Sequence, residues 1–254
     1  MQFRLKAFGL HLLGSAIVLT LVLGSLWLGW YRWPGWYLSS VLHVVGIVVM
    51  VDLVMGPTLT LIVANPGKLQ RIFARDVAVI VGVQLVALVY GSVTLWSGRP
   101  LYYAFSTNSL DCVQASDIDV SEAAAALRQN PTLAPHWYSL PRWIWAPLPD
   151  DPDEAMHIVK GATFGSGKDV VDMPRYFKPW EQGLPKLREQ LSRLDDIIYL
   201  SKAEKQSLHA RLSARGLAPD QRNALIMWGG SRRLLAIFDP TTLQLKALLR
   251  TDVG

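Results

Sequence analysis

The stretch Val51-Asp52-Leu53-Val54-Met55-Gly56-Pro57-Thr58-Leu59-Thr60-Leu61-Ile62-Val63-Ala64-Asn65-Pro66 decides how this chain is read. It sits inside the second of three long apolar runs. It sets an acid among aliphatic side chains, a Gly-Pro helix breaker one turn later, and two threonines just beyond. A carboxyl group in hydrocarbon costs a few kcal/mol on insertion scales, so it needs a partner. Pro57 has no amide hydrogen and releases a backbone carbonyl near residue 53, which a threonine or a neighbouring helix can bond. Asp52, Gly56, Pro57 and Thr60 therefore form the candidate site, with Gln84 and Tyr90 as the polar members of the third run. A proton relay would have to draw on His43, Asp52, Thr58, Thr60, Gln84 and Tyr90, which is thin for three helices. A hydrogen bond between helices, in this protein or with another transmembrane segment, fits the pattern better.

Working outward, the first run extends from Ala7 to about Trp30, behind Arg4 and Lys6. It is too long for the apolar core of a signal peptide and continues into Trp-Tyr-Arg-Trp-Pro-Gly-Trp, so it is read as an uncleaved helix. Gly9, Gly14 and Ser15 give it a small-residue face suited to close packing. Trp27, Trp30, Trp33 and Trp36 recur every third residue and match an interfacial aromatic belt, with Pro34-Gly35 as the turn. The second run covers about 37–64 and is closed by Asn65-Pro66-Gly67; the third covers about 77–96. The N-terminal tail and the 65–76 loop hold five basic residues, and the 31–36 turn holds one. Positive-inside bias places the tail and the loop in the cytoplasm, so that three crossings leave Leu101–Gly254 outside, in the periplasm of a two-membrane bacterium. The expected fold is a membrane protein: a three-helix transmembrane domain (1–99) followed by a small α+β periplasmic domain (100–254).

Charge agrees with this division. Seven basic residues and two acids precede Pro100, while the remainder carries 18 of each and is neutral. The basic excess thus belongs to the membrane part and its lipid-facing flanks, and points away from nucleic acid. The single cysteine, Cys112, excludes an intrachain disulfide and reads as a small residue in a strand.

The C-terminal part opens with a hairpin, Leu101–Ser106 and Leu110–Ala115 around Thr107-Asn108-Ser109. Asp119 or Ser121 can cap a short Ala-rich helix ending at Arg128. From Asn130 to Asp153 prolines and tryptophans are dense, which predicts an irregular, packed loop able to touch the bilayer surface. Helices are expected at about 153–160 and 185–194. Ser201-Lys202-Ala203-Glu204 is a capping box, and Gly216 is placed as the stop of the helix it opens. The last segment reads as three strands: 224–228, 234–238 and 243–249.

No chemistry is signalled. Gly161–Asp169 has the flavour of a phosphate-binding loop, but Asp169 follows Lys168 where Ser or Thr would hold magnesium, so a flexible loop is the better reading. Ser166 and Ser231 lack the surroundings of a nucleophile elbow. The five histidines do not pair with one another or with cysteine at metal-ligand spacing, so no metal and no cofactor is expected.

The residues 51–63 quoted above, Arg75-Asp76-Val77-Ala78-Val79-Ile80, Gln84 to Gly91, Arg99-Pro100 with Phe105, and Arg4-Leu5-Lys6-Ala7-Phe8 with His11 resemble the type IV pilin accessory protein family. The resemblance is best over residues 1–105. His11, Arg75, Asp76, Gly91, Arg99 and Pro100 are the family-motif positions. The resemblance implies a bacterial inner-membrane protein that assists a type IV pilus as a non-enzymatic accessory or chaperone factor. Its partner would be the major pilin, or else the pilus assembly platform, and it would act on pilin stability, pilus assembly or pilus dynamics. No catalytic residue is implied. A pilin waits in the membrane as a long apolar helix with one buried glutamate, and protonated Asp52, Gln84, Thr60 or Tyr90 could donate a hydrogen bond to that acid. The alternatives are a membrane-bound pilin-modifying envelope enzyme and an ion-coupled membrane component built on Asp52.

Overall fold

Residues 1–165 and 168–252 are described by a computed structural model. They fall into two units. One is Met1–Trp36 with Val41–Arg99; the other is Tyr37–Ser40 with the chain from Pro100 onward.

The first unit is three helices long and apolar enough to cross a membrane: α1 (Gln2–Gly29), α2 (Leu42–Val63) and α3 (Gln70–Ser97). At 1.5 Å per residue, α1 and α3 each run about 42 Å, longer than a hydrocarbon core of about 30 Å. That length explains why α3 begins at Gln70 and not near Val77. Its first turns, with Arg71, Arg75 and Asp76, are a polar extension that hydropathy cannot register. The second helix starts later than expected, at Leu42, because Tyr37–Ser40 belongs to the other unit. Most of α1 and α3 presents bare aliphatic side chains, such as Leu10, Leu21, Val86 and Val89. This is the pattern of helices solvated by lipid. The interior is narrow: Leu19, Val48 and Leu88 in one cluster, Leu26, Tyr31, Val41 and Leu95 in another.

α2 is not uniform. Between the α-helical pieces Leu42–Val49 and Gly56–Val63, Met50–Met55 forms a π-helical turn, closed by Gly56 N–H bonding Val51 O. Pro57 supplies the cause. It offers no N–H to Leu53 and its ring crowds that carbonyl, so the helix widens just ahead of it. Two glycines then bring α2 and α3 together. A Cβ on Gly56 would overlap the Gln84 carboxamide, and a Cβ on Gly91 would overlap the Val48 side chain.

One end of this unit carries the aromatic belt. Trp27 stacks on Trp36, and Trp30 meets Trp96 edge-on with ring centroids 5.0 Å apart. Tyr31 donates its hydroxyl to the Leu95 carbonyl at 2.5 Å. Arg99 folds back over Trp96, 4.1 Å from the ring centre, and donates to the Trp96 carbonyl. A cation thereby satisfies a carbonyl that the end of α3 leaves open. At the opposite end Phe3 packs on Phe73, and Lys68 pairs with Asp76.

The second unit is a mixed sheet with helices. The strands are β1 (Pro100–Phe105), β2 (Leu110–Gln114), β3 (Arg142–Trp145), β4 (Lys178–Pro179), β5 (Ala224–Gly229), β6 (Arg232–Phe238) and β7 (Leu245–Arg250). Their order is β4-β3-β1-β2-β5-β6-β7. β1 runs antiparallel to β2 but parallel to β3, and β2 runs parallel to β5. The helices are α4 (Val120–Gln129), α5 (Pro152–Phe164), α6 (Trp180–Gln190) and α7 (Lys202–Ser213). One core gathers Tyr102, Ile144, Ile158 and Phe177; another gathers Leu194, Leu208, Leu212, Ile226 and Leu235.

The β1–β2 hairpin, the three C-terminal strands and the capping box lie where the sequence places them. In the box Ser201 Oγ accepts from Glu204 N–H, and Glu204 Oε2 accepts from Ser201 N–H. Gly216 has φ +67°, and Leu217 N–H bonds Leu212 O across it. Three expectations need correction. The Pro/Trp-dense stretch holds a strand, β3, whose Ile144 is fully buried; the surrounding prolines hide the short alternation of Arg142–Trp145. α6 begins at Trp180 with Pro185 inside it, and ends at Gln190. Only the first-turn carbonyl of Glu181 loses a partner there, and Gly183 lets the helix lie against Trp145. Finally, Gly161–Phe164 is the last turn of α5, not loop, and ends at left-handed Gly165; Ser166 and Gly167 lie outside the described residues. Lys168 pairs with Asp119 at 2.8 Å and donates to the Asp117 carbonyl.

Tyr37–Ser40 contributes to this second unit directly. Leu38 is fully buried and lies against Gly229, where an added Cβ would sit 2.8 Å from the Leu38 Cα and carbonyl oxygen. The guanidinium groups of Arg232 and Arg250 each lie over the Tyr37 ring, 4.9 and 4.7 Å from its centre. Cys112 is buried in β2, and burial pushes its thiol pKa up, which leaves it inert as a nucleophile.

Candidate functional site: a polar cluster at helix mid-depth

Asp52 and Gln84 stand near the midpoints of α2 and α3, where unpaired polar groups are most costly. The structure joins them directly and ties α1 to both helices through His11. His11 Nδ1 lies 2.5 Å from Thr60 Oγ1, and His11 Nε2 lies 2.7 Å from Gln84 Oε1. Gln84 Nε2 donates to the Asp52 backbone carbonyl at 3.0 Å. That last bond fixes the others. A carbonyl only accepts, so the NH2 of Gln84 must face Asp52 and its oxygen must face His11. His11 Nε2 must then carry a hydrogen. In the neutral ring, Nδ1 accepts from the Thr60 hydroxyl. The result is one directed chain across three helices, Thr60 to His11 to Gln84 to Asp52.

Each link depends on local backbone. The π turn of α2 displays the Asp52 carbonyl to a side chain, and Gly56 clears the space that the Gln84 amide fills. Pro57 and Thr60 are buried on the same side of α2 as Asp52. One atom is left over. Asp52 is 4 % exposed, and its Oδ2 has no hydrogen-bond partner.

Beside the cluster is a cavity of about 790 Å³ between α1 and α3. Its floor is made by His11, Asp52, Thr60 and Gln84, and its walls are almost wholly apolar.

Of the residues singled out from the sequence, Asp52, Gly56, Pro57, Thr60 and Gln84 come together. Tyr90 does not. It is 76 % exposed on the outside of α3, roughly 100–160° around the helix from Gly91, Gln84 and Leu88. His43 and Thr58 are also exposed on the surface of the unit. His11, read only as a motif position, proves to be the centre of the cluster; a lone imidazole in an apolar run was its signal. Among the other motif positions, Gly91 is a helix contact, Asp76 holds Lys68, Arg99 closes α3, Pro100 opens β1, and Arg75 is exposed. Among the described residues no group of three His, Cys, Asp or Glu is arranged to hold a metal ion.

Fold and site together define a membrane-anchored protein whose three helices share one internal hydrogen-bonded site and carry a mixed α/β sheet domain. The chain is similar to curated proteins named for fimbrial assembly. It is 26 % identical over 207 residues to the fimbrial assembly protein of serogroup I of Dichelobacter nodosus, covering 80 % of this chain and 77 % of that one. It is also 26 % identical over 190 residues to the serogroup E1 protein, covering 74 % and 71 %. With the protein of serogroups C1 and C2 it shares 29 % identity over 124 residues, 49 % of this chain and 95 % of that one. The first two matches are longer than either unit, so they run through both. No protein-family model matches the chain, and no solved structure matches it.

Proposed function

We propose that this chain is a non-enzymatic accessory factor for a type IV pilin, acting from the inner membrane. It would support pilin stability or pilus assembly, with the N-terminus in the cytoplasm and the sheet domain in the periplasm. The carrying observation is the cluster at helix mid-depth. His11, Thr60, Gln84 and the Asp52 backbone carbonyl are engaged in holding three helices in register, and the carboxyl Oδ2 of Asp52 is left unanswered in the interior of the membrane unit. This suits recognition of another apolar segment better than a relay, three of whose possible members (His43, Thr58, Tyr90) point away from it. Similarity to fimbrial assembly proteins supplies the pilus context. The orientation is supported by the basic residues Arg4, Lys6, Lys68, Arg71 and Arg75 at one end of the helices. With three crossings, Tyr37–Ser40 and the chain from Pro100 fall on one side, as membership of one unit requires.

The test is a deletion strain complemented with wild type or with Asp52→Leu. Deletion should reduce pilin level or surface pili. Asp52→Leu should do the same while the variant's own abundance is unchanged; equal loss of both would mean that Asp52 serves folding alone. Intact pilin mass in the deletion strain is the expected result, and a missing modification would instead make the chain an enzyme.

A further inference from the structure

We propose that the cavity between α1 and α3 is a lateral docking groove for one transmembrane helix of a partner protein, which brings a side-chain hydrogen-bond donor to Asp52 Oδ2. The inference rests on the reading of the chain as a pilus assembly factor, which names the pilin as the helix to try first.

Four observations converge. First, α1 and α3 touch near both ends, through Phe3 with Phe73 and through Trp30 with Trp96, yet are parted between them. The opening runs from Ala7 to Leu19 on α1 and from Gln70 to Leu88 on α3. That is about 18 Å and about 27 Å of helix, too long for a lone side chain or a few waters, and the longer wall is close to the span of a membrane helix, about 30 Å. Second, the facing walls are lined with small residues: Ala7, Gly14 and Ser15 on one side, Ala74 and Ala78 on the other. Small residues let a neighbouring helix backbone approach closely.

Third, Gly14 is not explained by this chain's own packing. A Cβ there, as at Gly9, Gly24, Gly46 and Gly82, would meet nothing within 4 Å, but of these five Gly14 is the one that lines the cavity, whereas Gly56 and Gly91 are each required by a contact inside the unit. Fourth, Asp52 lines the cavity, and its Oδ2, buried just beneath that lining, has no hydrogen-bond partner. A carboxyl oxygen in oil with no donor is an incomplete arrangement. A lipid chain would suit the walls but leave that oxygen unanswered. A helix bearing a hydroxyl, an amide N–H or a protonated carboxyl answers both.

The experiment uses the full-length chain in its native membrane with the pilin produced alongside it. A photo-crosslinking residue is placed at Ala78, inside the groove, or at Val86, which is exposed elsewhere on α3. The expected result is an adduct from Ala78 to the transmembrane segment of the pilin and at least tenfold less from Val86. Gly14→Trp, which fills open space, should remove the Ala78 adduct at least tenfold with chain abundance unchanged. If that variant fails to accumulate, Ser15→Leu blocks the same wall with a smaller change. Asp52→Leu should weaken the adduct as well. Equal adducts from both positions, adducts only to lipid or only to a second copy, or an undiminished adduct in an abundant groove-filling variant would each overturn the groove. The two readings fail differently. A deletion strain with normal pili removes the pilus role. A deletion strain without pili that is fully rescued by the groove-filling variant removes the groove alone.

Discussion

Gly56→Ala adds one methyl group at the point where α2 meets Gln84. That methyl cannot coexist with the Gln84 carboxamide where it stands, because it would overlap the nitrogen, carbon and oxygen of the amide. The obstacle is the far end of a flexible side chain, so Gln84 can swing aside. The cost is then what the amide leaves behind: the hydrogen bond from His11 at 2.7 Å and the bond to the Asp52 carbonyl at 3.0 Å. Hydrogen bonds between membrane helices average about 0.6 kcal/mol and reach about 1.7. Two of them, one buried and one partly buried, set the loss at about 1–3 kcal/mol. Unfolding of the three-helix unit by SDS titration in mixed micelles reads this directly. Gln84→Ala opens the space and has already lost both bonds, so in that background Gly56→Ala should cost less than about 0.5 kcal/mol. If Gly56→Ala is harmless in the wild type, or costs the same in both backgrounds, the directed chain from Thr60 to Asp52 is not what holds α2 on α3.

Further outcomes follow from other contacts. Gly91→Ala meets the branched and rotamerically stiff Val48, so overpacking should cost about 1–3 kcal/mol in the same titration, relieved by Val48→Ala. Gly229→Ala confronts backbone, which cannot move aside; the sheet domain should lose its cooperative thermal transition or melt well below the wild type by circular dichroism. Ser201→Ala removes the N-cap hydrogen bond of α7 and should cost about 1 kcal/mol of sheet-domain stability by the same readout. Asp111 titrates upward to about 6, raised by burial against the opposing hydrogen bond from Ser109, with the Asp169 and Asp172 carboxylates adding to the rise. Unfolded, the same group titrates near 3.9. The folded chain therefore holds a proton that the unfolded chain lacks between about pH 4 and 6, and this group stabilises the fold as pH falls through that window. Asp111→Asn should raise stability at pH 7.5 by about 1–2 kcal/mol, allowing for partial solvent screening, and leave it unchanged at pH 4.

How far the sequence could be read differs between the two units. Three apolar runs, a Gly-Pro break and one stranded acid were enough to locate the helices and the floor of the site, because oil penalises every polar exception and so makes each one informative. Asp52, Thr60 and Gln84 were found that way. His11 obeyed the same logic but lay near a basic tail, where a polar residue is unremarked. Tyr90 shows the limit: hydropathy says that a residue is in a helix, not which side it faces, and a phenol tolerates lipid with its hydroxyl near an interface. In the sheet domain, alternation exposed β1, β2 and the last three strands. β3 was masked by prolines on either side. The parallel neighbours of β1 and β2 had no local signature, since such pairing joins segments far apart in sequence.

Because Leu38 seals the backbone at Gly229, the sheet domain is not a contiguous product of translation. The hairpin Ala224–Phe238 emerges from the ribosome long after the tetrapeptide that closes it, which must wait through the six helices α2–α7 and the first four strands. A recombinant or proteolytic piece beginning at Pro100 is thus born without part of its own core, and it should need a Tyr37–Ser40 peptide, added in trans or grafted to its start, before it behaves as the domain does in the whole chain.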